Sequence, residues 1–426
     1  MIMVGIIFFI LLFLNMPVAF AIGIASLAYI IAEPNLPESI AAQRMVAGTQ
    51  SFPLLAVPFF ILAGNLMNSS GITSRLIKFS TALTGHLVGS LAHVSIVLST
   101  IMGGISGSAN ADAAMQSRIL GQQMISRGYS GGYSVGVIAL SSLITATIPP
   151  SIGLILYGYV GEVSIGRLFL AGIIPGFLMM VFLMAVAYLI AKKRGYDEGI
   201  VSKRATFKEV MIAMKESIWA LLFPVILIVG IRFGIFTASE AGAFAVVYAV
   251  IVGVFIYKEL KWKHIVESIK QSVTDNATIL LIISASSILG FLITYERLPQ
   301  NTAEFLLGIT SNPTLLLLLI LLFLVLAGMF IESTVLVLLL TPIFLPIIQQ
   351  IGVDPVHFGI LMMTIVTFGG MTPPVGVTMY TVCSLTKVPI EDYVKEAFPF
   401  MLGVALLVLL LLFVPSIVLF LPNLLM

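Results

Sequence analysis

The sequence predicts an all-α, polytopic membrane protein built from two inverted-topology repeats, and three observations support this prediction. Of 426 residues, 59% are hydrophobic and only 9% are charged, whereas an ordinary soluble domain carries about 25% charged residues. Long charge-free runs recur along the chain. A shift of about 224 residues also lays motifs of the second half over motifs of the first. Lipid is therefore the expected solvent of this chain, and its architecture is doubled.

A helix needs about 20 apolar residues to span the hydrocarbon core of a bilayer. Several charge-free runs of the chain have about this length or more. They cover 1–32, 45–74, 79–111, 133–161, 168–191, 313–331 and 397–426. The first run has no basic n-region and no small-residue cleavage site, so we expect a retained helix rather than a signal peptide. Strands of a membrane barrel would alternate polar and apolar residues, which the run from Leu315 to Leu326 does not.

Charge and composition exclude several functional classes. A net charge of +2 argues against a nucleic-acid partner, and the single cysteine, Cys383, excludes disulfide frameworks and cysteine metal clusters. Four histidines lie far apart and share no ligand spacing, so we favour structural or surface roles over metal binding. They are His86, His93, His264 and His357.

Lysines and arginines are concentrated in a few loops, which the positive-inside rule places in the cytoplasm. Seven basic residues, including Lys203, lie between 192 and 215, and four more lie between 258 and 270. Tracing outward from these clusters leaves only Arg44, Arg167, Arg232 and Arg297 of the 21 basic residues outside. The nine predicted crossings lie near 3–31, 52–68, 133–161, 168–191, 217–235, 238–257, 278–294, 357–386 and 398–422.

Two further stretches enter and leave the membrane on the same side in this trace, and we predict them to be re-entrant helical hairpins. The first covers about 85–127 and has the polar segment from Ser106 to Asp112 at its tip. It must return to the side it entered from, because Lys78 before it and Arg127 after it both belong inside. The second hairpin covers 312–350.

The internal repeat depends on a common offset rather than on any single match. The shift superimposes Pro149-Pro150 on Pro373-Pro374, Gly104 on Gly328, Pro175 on Pro399, and Ser108-Ala-Asn110 on Glu332-Ser-Thr334. The alternative is accidental similarity of apolar sequence. We predict a first repeat at 1–191, a basic loop and linker helix at 192–237, and a second repeat at 238–426. Inverted repeats of this kind are typical of secondary transporters.

The segment 258–275 predicts an amphipathic helix lying on the membrane surface. Ile265, Val266, Ile269 and Val273 fall near helical spacing on one face, with lysines on the other. Such a helix would act as a mechanical arm between a fixed and a moving part or as a surface-anchored connector. The sequence does not separate these two roles.

Irregular backbone at membrane depth is costly unless it is buried or lines a cavity. The hairpin tips and the two proline pairs are of this kind, and each proline also frees a carbonyl in the preceding turn. Freed carbonyls with Ser, Thr and Asn oxygens suit a hard cation, whereas the N-termini of resuming helices favour a carboxylate. Kinks that serve packing alone are the alternative, which we favour less because the two pairs occupy matching positions.

We therefore predict a Na⁺ site in the first half, a repeat-related Na⁺ site in the second, and an anionic substrate at the hairpin tips. The candidate Na⁺ ligands are Ser106, Asn110, Asp112, Thr145, Thr147 and Pro149, followed by Gly328, Ser333, Thr334, Gly369 and Thr372. The candidate substrate-binding residues are Ser106, Ser108, Glu332, Ser333 and Thr334.

Acidic residues inside apolar hairpins are functional candidates, because insertion of a charge is unfavourable there. Asp112 and Glu332 are such residues, and either would serve as an ion ligand or a proton carrier. Asp112 has a third interpretation, that of a cap for the second arm of its hairpin. For Glu240 we favour a structural ion pair with the nearby Arg232 at the outer face.

Several motifs together resemble the large membrane subunit of tripartite ATP-independent periplasmic (TRAP) transporters over essentially the whole chain. They are Gly104-Ile-Ser-Gly-Ser-Ala-Asn-Ala-Asp112, Ile148-Pro-Pro-Ser-Ile-Gly153, Leu168-Phe-Leu-Ala-Gly-Ile-Ile-Pro-Gly176, Phe236-Thr-Ala-Ser-Glu-Ala-Gly242, Gly352-Val-Asp-Pro-Val-His-Phe-Gly359 and Thr372-Pro-Pro-Val-Gly376. One departure is Phe330-Ile-Glu-Ser333, where many relatives carry Asp, and this leaves the role of Glu332 open.

The resemblance implies an elevator-type importer in the bacterial inner membrane, coupled to Na⁺ and specific for organic acids such as sialic acid or C4-dicarboxylates. It also implies two partners, a small four-helix membrane subunit and a periplasmic substrate-binding protein. We expect the small subunit to be a separate chain, because this one starts directly at the first repeat helix.

Two other functions compete with this one. A stand-alone symporter or antiporter would need no binding protein, and neighbouring reading frames would distinguish it. An intramembrane enzyme would need paired catalytic residues, and His86 and His93 have no obvious nucleophile partner. Gly103-Gly-Ile-Ser-Gly107 is not followed by the Gly-Lys-Ser/Thr of a phosphate loop, so we expect an ion gradient or another subunit to supply energy. We do not expect an enzyme.

Overall fold

A computed structural model describes residues 1–197, 204–310 and 312–426, and the regular structure within these ranges is helical. The all-α prediction is confirmed, whereas the predicted cytoplasmic Lys203 lies outside the described residues. The helices are α1 (Ile2–Phe13), α2 (Val18–Ala32), α3 (Ser39–Ala47), α4 (Ala56–Ser69), α5 (Ile72–Thr84), α6 (Ser90–Gly103), α7 (Ala109–Gln116), α8 (Gln122–Ser126), α9 (Gly131–Thr147), α10 (Ile152–Val160), α11 (Ile165–Arg194), α12 (Phe207–Arg232), α13 (Ala238–Ile251), α14 (Trp262–Tyr295), α15 (Leu298–Ile309), α16 (Pro313–Gly328), α17 (Ser333–Gln350), α18 (Pro355–Gly369), α19 (Val377–Thr386), α20 (Ile390–Phe413) and α21 (Pro415–Leu425).

Among the described residues, seven helices are long and apolar enough to cross a membrane. They are α4 with the 3₁₀ turn before it, α11, α12, α13 with the π-helical turn after it, α14, α17 and α20. Two bent pairs, α9 with α10 and α15 with α16, are further candidate spans. The chain is therefore a multi-pass membrane protein. This set differs from the nine predicted crossings, because it includes α17 and the α15–α16 pair, which contain arms of the second hairpin.

The helices of the second half follow those of the first at the predicted shift. Moved by 224 residues, α6, α7, α9 and α10 would begin at 314, 333, 355 and 376, and α16, α17, α18 and α19 begin at 313, 333, 355 and 377. Each half therefore contains one hairpin followed by one Pro-Pro break. The Pro149–Pro150 and Pro373–Pro374 bonds are both cis. The inverted orientation of the halves stays a prediction.

The first parts of the two broken helices form the centre of the molecule. In α9, 16 of 17 residues are buried, and in α18, 14 of 15 residues are buried. Helix α9 packs against α6, α11, α18 and α20, while α18 packs against α16 and α17. A second group of helices packs around α4, which contacts α13 and α14, and α14 also contacts α2. The breaks thus lie in a core surrounded by other helices.

Two short helices that were not predicted from the sequence connect these groups. Helix α5 packs against α6 of the first group and α4 of the second, as well as against α12, and α15 packs against α17 and α14. They occupy matching positions, since α5 moved by 224 residues would cover 296–308 and α15 covers 298–309. Both are too short and too amphipathic to have been recognised as spans.

Two predicted crossings are each divided into two helices. The crossing at 3–31 is wrong as a single helix, because Asn15 adopts a left-handed conformation and Pro17 lacks the backbone donor that a continuing helix needs. The crossing at 398–422 is interrupted at Val414 for a similar reason, since Pro415 disfavours helical backbone at the residue before it.

The predicted separation of an interfacial helix at 258–275 from a crossing at 278–294 is also wrong. Helix α14 runs without interruption from Trp262 to Tyr295. No proline occurs in it and its first glycine is Gly290, so nothing ends the helix near Asp275. At about 1.5 Å per residue, its 34 residues exceed a hydrocarbon core of ~30 Å, and part of the helix must project beyond it.

Two further sequence expectations change at helix N-termini. The linker helix α12 begins at Phe207 rather than near 217, where Thr206 and Glu209 form a capping box. Glu240 forms the same motif with Thr237 at the start of α13, with Oε2 2.8 Å from both the Thr237 nitrogen and Oγ1. The predicted ion pair is therefore wrong: the guanidinium of Arg232 lies over the Phe233 ring instead.

Candidate functional site

A cavity of about 600 Å³ lies where the two hairpin tips meet α2 and α14, a size typical of small-molecule sites. Four of the five predicted substrate-binding residues line it, namely Ser108, Glu332, Ser333 and Thr334. The broken helices contribute Ala146, Gly153, Thr367, Gly370 and Thr378. The opposite wall contains Pro17, Val18, Ala19 and Phe20 of the α2 end, and Asp275, Thr278, Ile279, Leu281 and Ile282 of α14.

The first hairpin tip contacts the first proline break directly. Gly107 is in the left-handed region at φ 61°, and its carbonyl accepts a hydrogen bond from the Ile152 nitrogen at 3.4 Å. A Cβ at Gly107 would overlap the carbonyl oxygen of Pro150. Only glycine therefore permits this approach of tip to break.

The second hairpin tip contacts the second break in the same way. The Gly376 nitrogen donates to the Met329 carbonyl at 2.8 Å. Helices α16 and α18 meet through two glycines, because a Cβ on Gly369 would lie 2.6 Å from the Cα of Gly328. In both halves, the segment that lines the cavity is thus supported by a Pro-Pro break.

The second arm of each hairpin starts with a capping side chain, and the two caps occupy matching positions. Ser108 Oγ accepts from the Ala111 nitrogen at 3.4 Å. Glu332 Oε2 accepts from the nitrogens of Thr334 and Val335 at 2.8 and 3.3 Å. Glu332 Oε1 lies 3.1 Å from Ser333 Oγ and 2.9 Å from Thr334 Oγ1. The charge of Glu332 is therefore met by four donors within its own tip.

Asp112 is not the cap of its hairpin arm, so that alternative is wrong. It is 1% exposed, and its Oδ2 lies 2.7 Å from Ser99 Oγ, 3.0 Å from Gln116 Nε2 and 2.9 Å from Thr145 Oγ1. Its other oxygen, Oδ1, is buried and makes no hydrogen bond within the described part of the chain. Asp112 thus joins α6, α7 and α9 and retains acceptor capacity for a further ligand.

The first break has oxygens suited to a hard cation. Pro149 and Pro150 cannot donate, so the carbonyls of Thr145 and Ala146 lose their helical partners. Ser106 Oγ is buried and has no partner within the described residues. These oxygens are the kind that binds Na⁺, in keeping with the predicted ligand set.

Two other predicted ligands of the first half make different contacts. Thr147 Oγ1 donates to the Leu143 carbonyl in its own helix at 3.0 Å. Asn110 Oδ1 accepts from Thr378 Oγ1, which joins the first tip to α19. Asn110 also lines the cavity, so its position suits substrate as well as a cation.

The second break is more fully satisfied by its own chain. The Gly369 carbonyl accepts from Thr372 N and Oγ1 at 3.0 and 2.8 Å. The Gly370 carbonyl accepts from the nitrogens of Thr378 and Met379 at 2.9 and 3.3 Å. A cation at the predicted site of Gly328, Ser333, Thr334, Gly369 and Thr372 would have to compete with these bonds.

Some residues of the site were missed by the sequence analysis. Ser99 and Gln116, which bond Asp112, and Thr367 and Asp275 of the cavity wall were not predicted. Ser99 and Gln116 could have been found from the sequence, because each lies on the same helical face as another polar residue of an apolar hairpin arm. Asp275 was overlooked because it was placed at the end of a surface helix rather than within α14.

Comparisons with known proteins give matches over nearly the whole chain. The model of the tripartite ATP-independent periplasmic transporter DctM component matches residues 5–417. The sialic acid TRAP transporter large permease SiaM of Vibrio cholerae is 40% identical, with 97% of this chain and 96% of that protein covered. The C4-dicarboxylate TRAP transporter large permease DctM of Rhodobacter capsulatus is 31% identical, with 97% of each covered.

Among solved structures, the YdaH transporter of Alcanivorax borkumensis aligns with a TM-score of 0.60 and 13% identity. The alignment covers 87% of each chain. At this identity the likeness concerns the fold alone.

Proposed function

Because this chain belongs to the DctM component family of tripartite ATP-independent periplasmic transporters, we propose that it imports an organic acid across the bacterial inner membrane by Na⁺-coupled secondary transport. The observation that carries the proposal is the cavity bounded by both hairpin tips, each supported by a Pro-Pro break. Relatives are named for sialic acid and for C4-dicarboxylates, both organic acids.

Coupling follows from the contact between tip and break. A cation held by Ser106 Oγ and the freed carbonyls of the first break would fix the backbone that carries Gly107 and Ser108. That backbone lines the cavity, so an acid would bind to a tip already ordered by the cation. The carboxylate would also benefit from the N-terminal dipole of the arm that resumes after Ser108.

Movement in an elevator mechanism requires a body that shifts against a fixed frame. We assign the moving body to the hairpins and broken helices and the frame to the helices packed around α4. The arms that connect them are then α5 and α15, since each contacts both groups. They take over the arm role that the sequence suggested for 258–275.

The proposal includes two partners, a small four-helix membrane subunit and a periplasmic substrate-binding protein. Its test is uptake of labelled acids by proteoliposomes that contain the chain with its small subunit, supplied with the binding protein from outside. We expect uptake only with an inward-directed Na⁺ gradient and only with the binding protein present. Uptake that is indifferent to Na⁺ would overturn the coupling. Uptake without the binding protein would favour a stand-alone symporter or antiporter.

A further inference from the structure

The cavity wall formed by α14 carries a carboxylate that faces the hairpin tips. Asp275 Oδ1 lies 2.8 Å from Gln271 Nε2 on its own helix, and Oδ2 lies 3.2 Å from Asn65 Nδ2 on α4. Asn65 Nδ2 is also 2.9 Å from Ser272 Oγ. The two amides hold the carboxylate in place, but they are neutral and leave its negative charge uncompensated.

The charges that line the cavity are all negative. Among the described residues that form its walls, Asp275 and Glu332 are the ionisable ones, and neither lysine, arginine nor histidine occurs there. Glu332 already accepts four hydrogen bonds within its tip. Asp275 uses two of roughly four acceptor positions, so it has capacity for donors on a ligand.

Because of this distribution of charge on the cavity walls, the two ends of a bound acid would meet different surroundings. A carboxylate at the first tip would meet Ser108 and backbone donors, with a Na⁺ nearby. The remainder of the molecule would lie toward Asp275 on the opposite wall. A hydroxyl group there would donate to Asp275, whereas a second carboxylate would meet an uncompensated like charge at short range.

We propose that Asp275 is a specificity residue that selects acids with one carboxylate and several hydroxyl groups over dicarboxylates. The inference rests on the proposed function and narrows its substrate class. The volume of about 600 Å³ is large enough to hold such an acid.

The test is equilibrium binding of radiolabelled acids to the purified permease and its small subunit. The binding protein is left out because it would impose its own selectivity. N-acetylneuraminate and gluconate represent hydroxylated monocarboxylates, and succinate represents dicarboxylates. In Na⁺ we expect the wild type to bind at least one hydroxylated acid about tenfold more tightly than succinate. D275N should reduce that preference about tenfold, mainly by strengthening succinate binding.

A matched control lies on the same helix. Glu267 is exposed and sits 3.8 Å from Lys263, outside the cavity walls, so E267Q removes one negative charge without touching the site. It should leave the preference unchanged. The Na⁺ concentration for half-maximal binding should be the same in D275N and wild type, which separates a selectivity effect from a damaged fold.

A second variant keeps Asp275 in place. T278K adds a cation on the same wall one turn further along α14, and it too should strengthen succinate binding. An unchanged preference in T278K, or in a D275N protein that still binds acids, would overturn the inference alone. So would a wild type that binds succinate as tightly as the hydroxylated acids. Absence of Na⁺-dependent binding of every acid would overturn the proposed function, and this inference with it.

Discussion

The two halves of the molecule share a backbone plan but differ in the chemistry built on it. In the first half, Asp112 bonds Ser99, Gln116 and Thr145 at the centre of a buried polar cluster. The matching positions of the second half are Leu336, Phe323, Leu340 and Gly369. The repeat therefore preserves hairpins and breaks, while the carboxylate of Asp112 has a leucine, Leu336, at its matching position in the second half.

The second half has a compensating difference. At its Pro-Pro break, the Gly369 carbonyl accepts a hydrogen bond from Thr372. Its acidic residue, Glu332, caps α17 at the cavity, whereas Asp112 is buried between helices. The close contact of Gly328 with Gly369 takes the place of the polar contacts of Thr145. We infer that the first half holds the tighter Na⁺ site, whereas the second half mainly contributes packing and the cavity wall.

The largest expected effect comes from removing the charge of Asp112. D112N leaves the volume nearly unchanged, and its amide oxygen can still accept from the three donors, but it removes the charge and puts an amide donor where the unpartnered Oδ1 lies. We expect the Na⁺ concentration for half-maximal uptake to rise by about tenfold or more, and stability to fall by about 1–3 kcal/mol because charge-assisted hydrogen bonds become neutral ones. L336A, at the matching position, should destabilise by about 2–5 kcal/mol and leave the Na⁺ dependence unchanged. Equal effects of both variants on Na⁺ dependence would contradict the assignment.

A smaller effect should follow from breaking the glycine contact of the second half. G369A places a Cβ 2.6 Å from Gly328 and 2.8 Å from the Val325 carbonyl, which are backbone atoms that cannot easily move. We expect a loss of about 1–3 kcal/mol in reversible unfolding of the detergent-solubilised chain. G290A in α14 is the control, because no atom lies within 4 Å of its Cβ, and it should be neutral or slightly stabilising. A tolerant G369A would show that the contact is not a constraint.

The smallest expected effect concerns the two caps. E332A removes an acceptor of four hydrogen bonds, whereas S108A removes one long bond of 3.4 Å. Hydrogen exchange should therefore accelerate at the start of α17 in E332A, corresponding to about 1–2 kcal/mol, and less at the start of α7 in S108A. A larger effect in S108A than in E332A would contradict the prediction that Glu332 is the stronger cap.

The sequence predicted the positions of the hairpins and breaks because proline and glycine restrict the backbone wherever they occur. Helices must be interrupted at Pro149-Pro150 and at Pro373-Pro374. The polar residues near Ser106 interrupt an apolar run and so mark the turn of a hairpin. These constraints are local, so they are visible in the chain without knowledge of neighbouring helices.

The roles of the two acidic residues depended on which helices lie beside them. Asp112 and Glu332 both looked like charges inside apolar hairpins, yet Glu332 caps its arm and Asp112 joins three helices. Their difference is set by tertiary contacts with Ser99 and Thr145, which lie far enough along the chain that spacing gives no sign of them. The continuous α14 was missed because lysines near its start made that segment look like a separate surface helix.

The central claim, that the first half holds the tighter Na⁺ site, is tested most directly by thermal unfolding of the purified chain across a Na⁺ titration. A cation that binds only the folded state raises the melting temperature with the logarithm of its concentration once that concentration exceeds Kd, so the Na⁺ concentration at which the rise begins reports the affinity of each variant. We predict that S106A raises this concentration about tenfold or more, whereas T372V raises it about threefold or less. Equal shifts, or a larger shift in T372V, would contradict the claim.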